Sequence, residues 1–137
     1  MIKWAGWLMA LIGAAHTFLA LTVEEAARHA DAWFSGELWG EDLSAMSPAN
    51  SGYWLSLASF GIPLMVVGLM VLWLDRRGIV PPPFIAWTLG IWTAVCAVIL
   101  GPSPWPIVLL ANVLLLVGAR RAARQDNPAP QAGPQGA

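Results

Sequence analysis

The side chains able to do chemistry are few, and most are embedded in long apolar runs. His16, Ser59, Thr93 and Asn112 each interrupt a different one. An imidazole titrates near neutral pH, and a hydroxyl or carboxamide beside it can stabilise developing charge, which is the minimum for a proton-shuttling isomerase or a polar anchor for a ligand. The same side chains can instead satisfy themselves on backbone carbonyls, as Ser and Thr in helices commonly do. A second group, Glu25, His29 and Asp31, has metal-ligand types but matches no known ligand spacing. The sequence presents no nucleophile–base pair and no phosphate-binding loop, so no catalytic residue, cofactor or metal is assigned. Cys96 stands alone and can form no internal disulfide.

The elements that must position these residues follow from composition. The 137 residues are 58% hydrophobic and only 11% charged, with a mean hydropathy of +0.63. A soluble domain has about a quarter of its residues charged, so the solvent these side chains fit is a bilayer. A membrane helix needs about 20 apolar residues to cross about 30 Å of hydrocarbon. Four stretches qualify: residues 4–23, 53–74, 84–100 and 104–119. Asn50-Ser51-Gly52 and Asp75-Arg76-Arg77-Gly78 bound the second, Pro81-Pro82-Pro83 precedes the third, and Ser103 with Pro104 reads as the cap and first turn of the fourth. The expected fold is all-α: a polytopic membrane protein with a four-transmembrane-helix bundle over residues 1–119. Counted from the outer helix ends, His16, Ser59, Thr93 and Asn112 share a depth of roughly 9 to 12 Å, and intramembrane polar groups usually face the bundle interior.

Orientation comes from the cations. Lys3, Arg76, Arg77, Arg120, Arg121 and Arg124 fall on one side of the four stretches, leaving only Arg28 on the other. The positive-inside rule then places both termini and the 75–83 turn in the cytoplasm, and the acidic loop 24–52 outside. The rival reading of residues 1–15 as a cleaved signal peptide is weaker, because the apolar run continues for eight residues past Ala15. Residues 120–137, rich in Pro, Gly, Gln and Ala toward the end, are expected to be a disordered cytoplasmic tail. A stacking basic stripe is absent, so no nucleic-acid partner is expected.

Small residues mark the packing faces. Gly6, Gly13 and Ala20 line one side of the first stretch, Gly61 and Gly68 recur in the second, and Gly90, Ala94, Ala97 and Gly101 in the third. In lipid such seams allow close backbone approach, within one chain or against a second copy or larger membrane partner. Pro63 predicts a kink in the second stretch, with Ser56 and Ser59 available to freed carbonyls. The first helix is expected to continue past the membrane, with Glu24–Arg28 and Glu25–His29 paired four residues apart. Trp33, Phe34, Leu38 and Trp39 suit a re-entrant or interfacial strip, and Trp4, Trp54, Trp73 and Trp105 an aromatic belt at the helix ends.

Gly6, Gly13-Ala14-Ala15-His16, Leu38-Trp39-Gly40, Ser59-Phe60-Gly61-Ile62-Pro63 and Leu74-Asp75-Arg76-Arg77 together resemble a family of short bacterial membrane proteins known only as a domain of unknown function. The layout is more distantly similar to DoxX-like proteins. The resemblance implies four helices in a bacterial plasma membrane and brings no activity. A small multidrug-resistance type of transporter fits length and helix number, but the first stretch lacks the membrane-embedded carboxylate that mechanism uses. The leading expectation is a structural or accessory membrane protein. The alternative is a binding module, or less readily an isomerase, holding a small apolar ligand in an outer-leaflet cavity lined by His16, Ser59, Thr93 and Asn112. The charge pattern yields a direct test in a Cys96→Ala background: a membrane-impermeant thiol reagent applied from outside should label Ser35→Cys and Ser44→Cys and miss Gly78→Cys and Gln125→Cys. Labelling of all four, or the reverse pattern, would refute the orientation.

Overall fold

A computed structural model describes residues 1–100 and 105–126, and all regular structure among them is helical. Helix α1 spans Ile2–Thr22, α2 Ala30–Ser35, α3 Pro48–Leu55, α4 Gly61–Arg76, α5 Pro83–Leu100 and α6 Trp105–Asp126, with single 3-10 turns at Ala26–His29 and Leu43–Ala45. Three of these, α1, α5 and α6, are long and apolar enough to cross a membrane. The first, third and fourth expected stretches therefore correspond to real helices.

The second stretch is not one helix. It is split into α3 and α4, and the helical ladder is interrupted between Leu55 and Gly61. Ser56 turns the chain out of helix at φ −100° and ψ −81°, and the Ala58 amide reaches back five residues to the Tyr53 carbonyl. Pro63 lies inside the first turn of α4, where Phe60 already accepts from Leu64 at 2.9 Å. A first-turn amide has no helical partner, so the missing N–H of Pro63 costs nothing there. The discontinuity precedes the proline instead of kinking at it. At 16 residues, α4 is about 24 Å long. The expected stop at Asn50-Ser51-Gly52 also moves: these residues lie within α3, whose cap is Ser47, its Oγ accepting from the Asn50 amide at 3.2 Å with Pro48 in the first turn.

The chain divides into two compact units, residues 7–70 and residues 1–6 with the chain from Val71 onward. In the first, α1 meets the start of α4 through glycines. A Cβ on Gly13 would stand 2.6 Å from the Met65 amide nitrogen, and one on Gly61 would stand 2.9 Å from the Gly13 carbonyl oxygen. Helix α1 then ends sooner than its sequence suggests. The Val23 and Glu24 amides both turn onto the Leu19 carbonyl, and Glu25 adopts a left-handed φ of 56°. That reversal removes the four-residue spacing, so Glu24–Arg28 and Glu25–His29 do not pair. Arg28 Nη1 instead donates to Glu25 Oε2 at 2.9 Å, and its Nε donates to His29 Nε2 at 3.1 Å.

The 24–52 segment is a folded platform and not a flat strip. Ala26 and His29 pack beside Gly52 of α3. Trp33 points inward, its indole N–H donating to the Ala49 carbonyl at 2.8 Å and its ring meeting Tyr53 edge-on at 6.0 Å. Phe34 and Trp39 are left on the outside, 84% and 89% exposed.

In the second unit, α4 ends as its Asp75-Arg76-Arg77-Gly78 signal predicts. Gly78 takes φ +68°, its amide bonds the Asp75 carbonyl, and the Ile79 amide bonds that of Leu74, the paired bonds of a Schellman cap. Helices α5 and α6 pack together. Val108, Ala111, Leu115 and Ala119 form a buried stripe along α6 at helical spacing. Trp105, expected at the interface, is instead only 4% exposed and sits edge-to-face with Trp92 at 5.5 Å. Helix α6 continues to Asp126, so the expected disordered tail 120–137 is helical over its first seven residues. The Ser103–Pro104 cap, Gly101 and residues 127–137 lie outside the described residues.

The glycines predict unequal outcomes. Gly61→Ala should lower stability by about 1–3 kcal/mol, because the crossing must separate to admit one methyl group. Gly90→Ala, whose new Cβ would sit an ordinary 4.0 Å from Asn112 Cβ, should be neutral or slightly stabilising. Thermal unfolding in detergent distinguishes the two.

Candidate functional site

His16 lies on α1 between Gly13 and Thr17, facing the break between α3 and α4. Its Nε2 is 3.0 Å from Ser59 Oγ, and its ring lies against Phe60, centroids 4.2 Å apart at a 31° tilt. The Ser59 hydroxyl lies 3.1 Å from the Ser56 carbonyl. A hydroxyl has one proton, so Ser59 Oγ can donate to either the Ser56 carbonyl or His16 Nε2, and the tautomer of the imidazole sets which. The Gly61 amide also approaches Ser59 Oγ, at a long 3.4 Å. Ser56, fully buried, donates to the Gly52 carbonyl at 2.6 Å. Ser59 thus reaches the Ser56 carbonyl at the interruption, the Ser56 hydroxyl adds a second bond to the Gly52 carbonyl that the Ser56 amide already holds, and His16 contacts the second serine. Thr17 Oγ1 is buried without a hydrogen-bond partner, directly over the position a Gly61 side chain would take.

The hydroxyl proton of Ser59 is within reach of both a backbone oxygen and the imidazole. A serine acting as nucleophile would need that proton directed at the imidazole and a third group orienting the ring. His16, Ser59 and Phe60 form a clasp across a helix break, with both His16 and Ser59 only partly buried.

Thr93 and Asn112 belong to the other unit. Each bonds its own helix: Thr93 Oγ1 donates to the Leu89 carbonyl at 2.6 Å and Asn112 Nδ2 to that of Val108 at 3.0 Å. Both are buried, and Asn112 Oδ1 is without a hydrogen-bond partner. Of the expected packing glycines, Gly6, Gly13, Gly61 and Gly68 are buried, while Gly90 is partly so. Among the described residues no three His, Cys, Asp or Glu side chains gather as a metal ion would require. Glu25 and His29 are engaged by Arg28.

The sequence pattern singled out His16 and Ser59 but missed two partners. Phe60 reads as one more apolar residue, and only the adjacency Ser59-Phe60-Gly61 beside a proline hints that it belongs to a turn. Gly118 was also missed: a Cβ there would lie 2.8 Å from Ile2 Cγ1, a close approach that no glycine repeat announces.

The platform holds a groove of about 570 Å³ lined by His29, Glu37, Trp39, Glu41 and Ser47 among others. Glu41 Oε1 accepts from the Ser47 amide at 2.6 Å. Asp42 Oδ1 accepts from both the amide and the hydroxyl of Ser44, each at 2.8 Å. Hydrogen bonds from the Ser47 side chain and amide hold the Glu41 carboxyl below its usual range, and those from the Ser44 amide and hydroxyl do the same for Asp42. A carboxylate with a lowered folded-state pKa stabilises the fold above its ordinary pKa and loses that contribution as pH falls through the lowered value. Corrected for intrinsic rates, hydrogen exchange at the Ser44 and Ser47 amides should therefore stay slow at neutral pH. It should quicken only below about pH 4; unchanged protection down to pH 2 would contradict it.

No curated protein and no solved structure matches the chain. One family model does, over residues 1–122 of the 137. The chain belongs to DUF6463, a family of unknown function.

Proposed function

We propose that this chain is a multi-pass protein of the bacterial plasma membrane that crosses four times, its second crossing assembled from the broken α3–α4 stretch. Both termini and the 77–82 turn then lie in the cytoplasm and the acidic platform outside. Its role is structural or accessory, without catalysis: the helices hold the platform at the membrane surface for a second copy or a larger membrane partner. Three apolar helices of spanning length support the membrane reading, as does the placement of six of the seven cations. Trp4, Trp54 and Trp73, all half or more exposed, suit an interfacial belt.

The observation that carries the accessory reading is the contact at the break. Gly13 and Gly61 meet backbone to backbone, and His16 is occupied by Ser59 and Phe60. Non-helical backbone at membrane depth is tolerated where protein covers it, and these residues supply the cover.

A second reading, a small lipid-soluble ligand held at His16 and Ser59, is favoured by the partial exposure of both and by the absence of His16 Nδ1 from the hydrogen bonds described. Native mass spectrometry of purified wild type, His16→Leu and Ser59→Ala distinguishes the two. The accessory reading expects no small molecule whose retention depends on either residue, with stability lower by about 0.5–2 kcal/mol in each variant. A molecule carried by wild type and lost from both variants below their melting temperatures would replace it with the ligand reading.

A further inference from the structure

At the end of the second unit that carries most of the arginines, the N-terminal turn of α1, the last turn of α4 and α6 enclose a groove of about 250 Å³. It is lined by Met1, Ile2, Asp75, Gly118, Arg121 and Ala122. Gly118 lies in its wall, where α1 approaches α6 closely: a Cβ would stand 2.8 Å from Ile2 Cγ1 and 3.1 Å from the Ile2 amide nitrogen. Its two charged walls are of opposite sign. Asp75 is partly buried and Arg121 exposed, and among the described residues the one ion pair is Arg28 with Glu25. An acidic and a basic residue therefore line one space without forming an ion pair with each other. Lys3, Arg76, Arg77, Arg120 and Arg124, all exposed, are sequence neighbours of the lining residues and make this end of the unit strongly cationic.

We propose that this groove is a headgroup site for an aminophospholipid, with the phosphate on Arg121 and the primary ammonium on Asp75. The inference rests on the membrane reading above, which puts this end of the helices at the level of lipid headgroups. A guanidinium presents a planar fork of donors that matches phosphate oxygens. A carboxylate accepts from a primary ammonium but finds no N–H on a quaternary one. The surrounding arginines draw phosphate to the surface without distinguishing headgroups, whereas the paired opposite charges select a phosphate and an amine in one molecule. The volume admits a headgroup and leaves the acyl chains outside, against the apolar helix surface.

The test uses the full chain in nanodiscs holding phosphatidylethanolamine, phosphatidylcholine and phosphatidylglycerol in equal amounts with identical acyl chains, followed by native mass spectrometry of the lipids retained on release. The ethanolamine lipid should be retained about tenfold over the choline lipid, the magnitude of one charge-assisted hydrogen bond. Asp75→Asn should abolish the preference, Arg121→Gln should lower retention of ethanolamine and choline lipids alike, and Arg124→Gln, which does not line the groove, should leave both intact. Excess soluble phosphoethanolamine should not displace the lipid; if it does so and binds equally well alone, the ligand is the free headgroup and the lipid assignment fails. Equal retention of ethanolamine and choline lipids, an unchanged preference in Asp75→Asn, or unchanged retention in Arg121→Gln also overturns the proposal. A chain that inserts into the discs and retains lipids indiscriminately loses only this site, whereas one that fails to insert loses the membrane reading and the site together.

Discussion

Two backbones touch where Gly13 meets Gly61, and the arrangement of residues 7–70 depends on that contact. Neither position can carry a methyl group without moving the Met65 amide or the Gly13 carbonyl. In a hydrocarbon solvent, burying apolar side chains gives little reason for helices to associate, so close backbone approach and interhelical hydrogen bonds must supply it. The same contact brings Thr17 and His16 of α1 to the start of α4. It thereby places an imidazole against the one segment of the 53–74 stretch that lacks a helical ladder.

That segment shows how a chain can leave the helix while its polar groups stay bonded. Each unpaired carbonyl there carries a desolvation penalty. Ser59 bonds the Ser56 carbonyl, the Ser56 hydroxyl joins its own amide on the Gly52 carbonyl, and His16 reaches from a separate helix to the Ser59 hydroxyl. The Ser59 hydroxyl lies within bonding distance of both the Ser56 carbonyl and the imidazole, so backbone and ring meet at one oxygen. Thr93 and Asn112 similarly turn back onto carbonyls of their own helices.

The 24–52 segment follows different rules, since its polar groups can reach water. Local hydrogen bonds organise it: an Asp42 turn onto Ser44, a Glu41 bond to the Ser47 amide, a Ser47 cap and an indole bond to the Ala49 carbonyl. These fold a strip of aromatics and acids into a platform whose inner face uses Trp33 and whose outer face leaves Phe34 and Trp39 exposed.

Hydropathy and length sufficed to locate α1, α5 and most of α6, because a helix whose apolar run matches the bilayer reads the same at every residue. Gly78 after Asp75-Arg76-Arg77 stated where α4 ends, since a left-handed residue closes a Schellman cap whatever surrounds it. Gly13 and Gly61 were legible as packing positions, although not as partners of each other. The sequence could not announce the split between α3 and α4: Ser56 to Phe60 is composed of residues that also occur in continuous helices, and the contacts of His16 with Ser59 and Phe60 come from a helix distant in sequence. Nor could it announce the end of α1 at Thr22, where Glu25 turns left-handed and Ala26 and His29 pack beside Gly52. Local periodicity determined which residues are helical, and contacts distant in sequence decided where those helices stop and what their polar side chains hold.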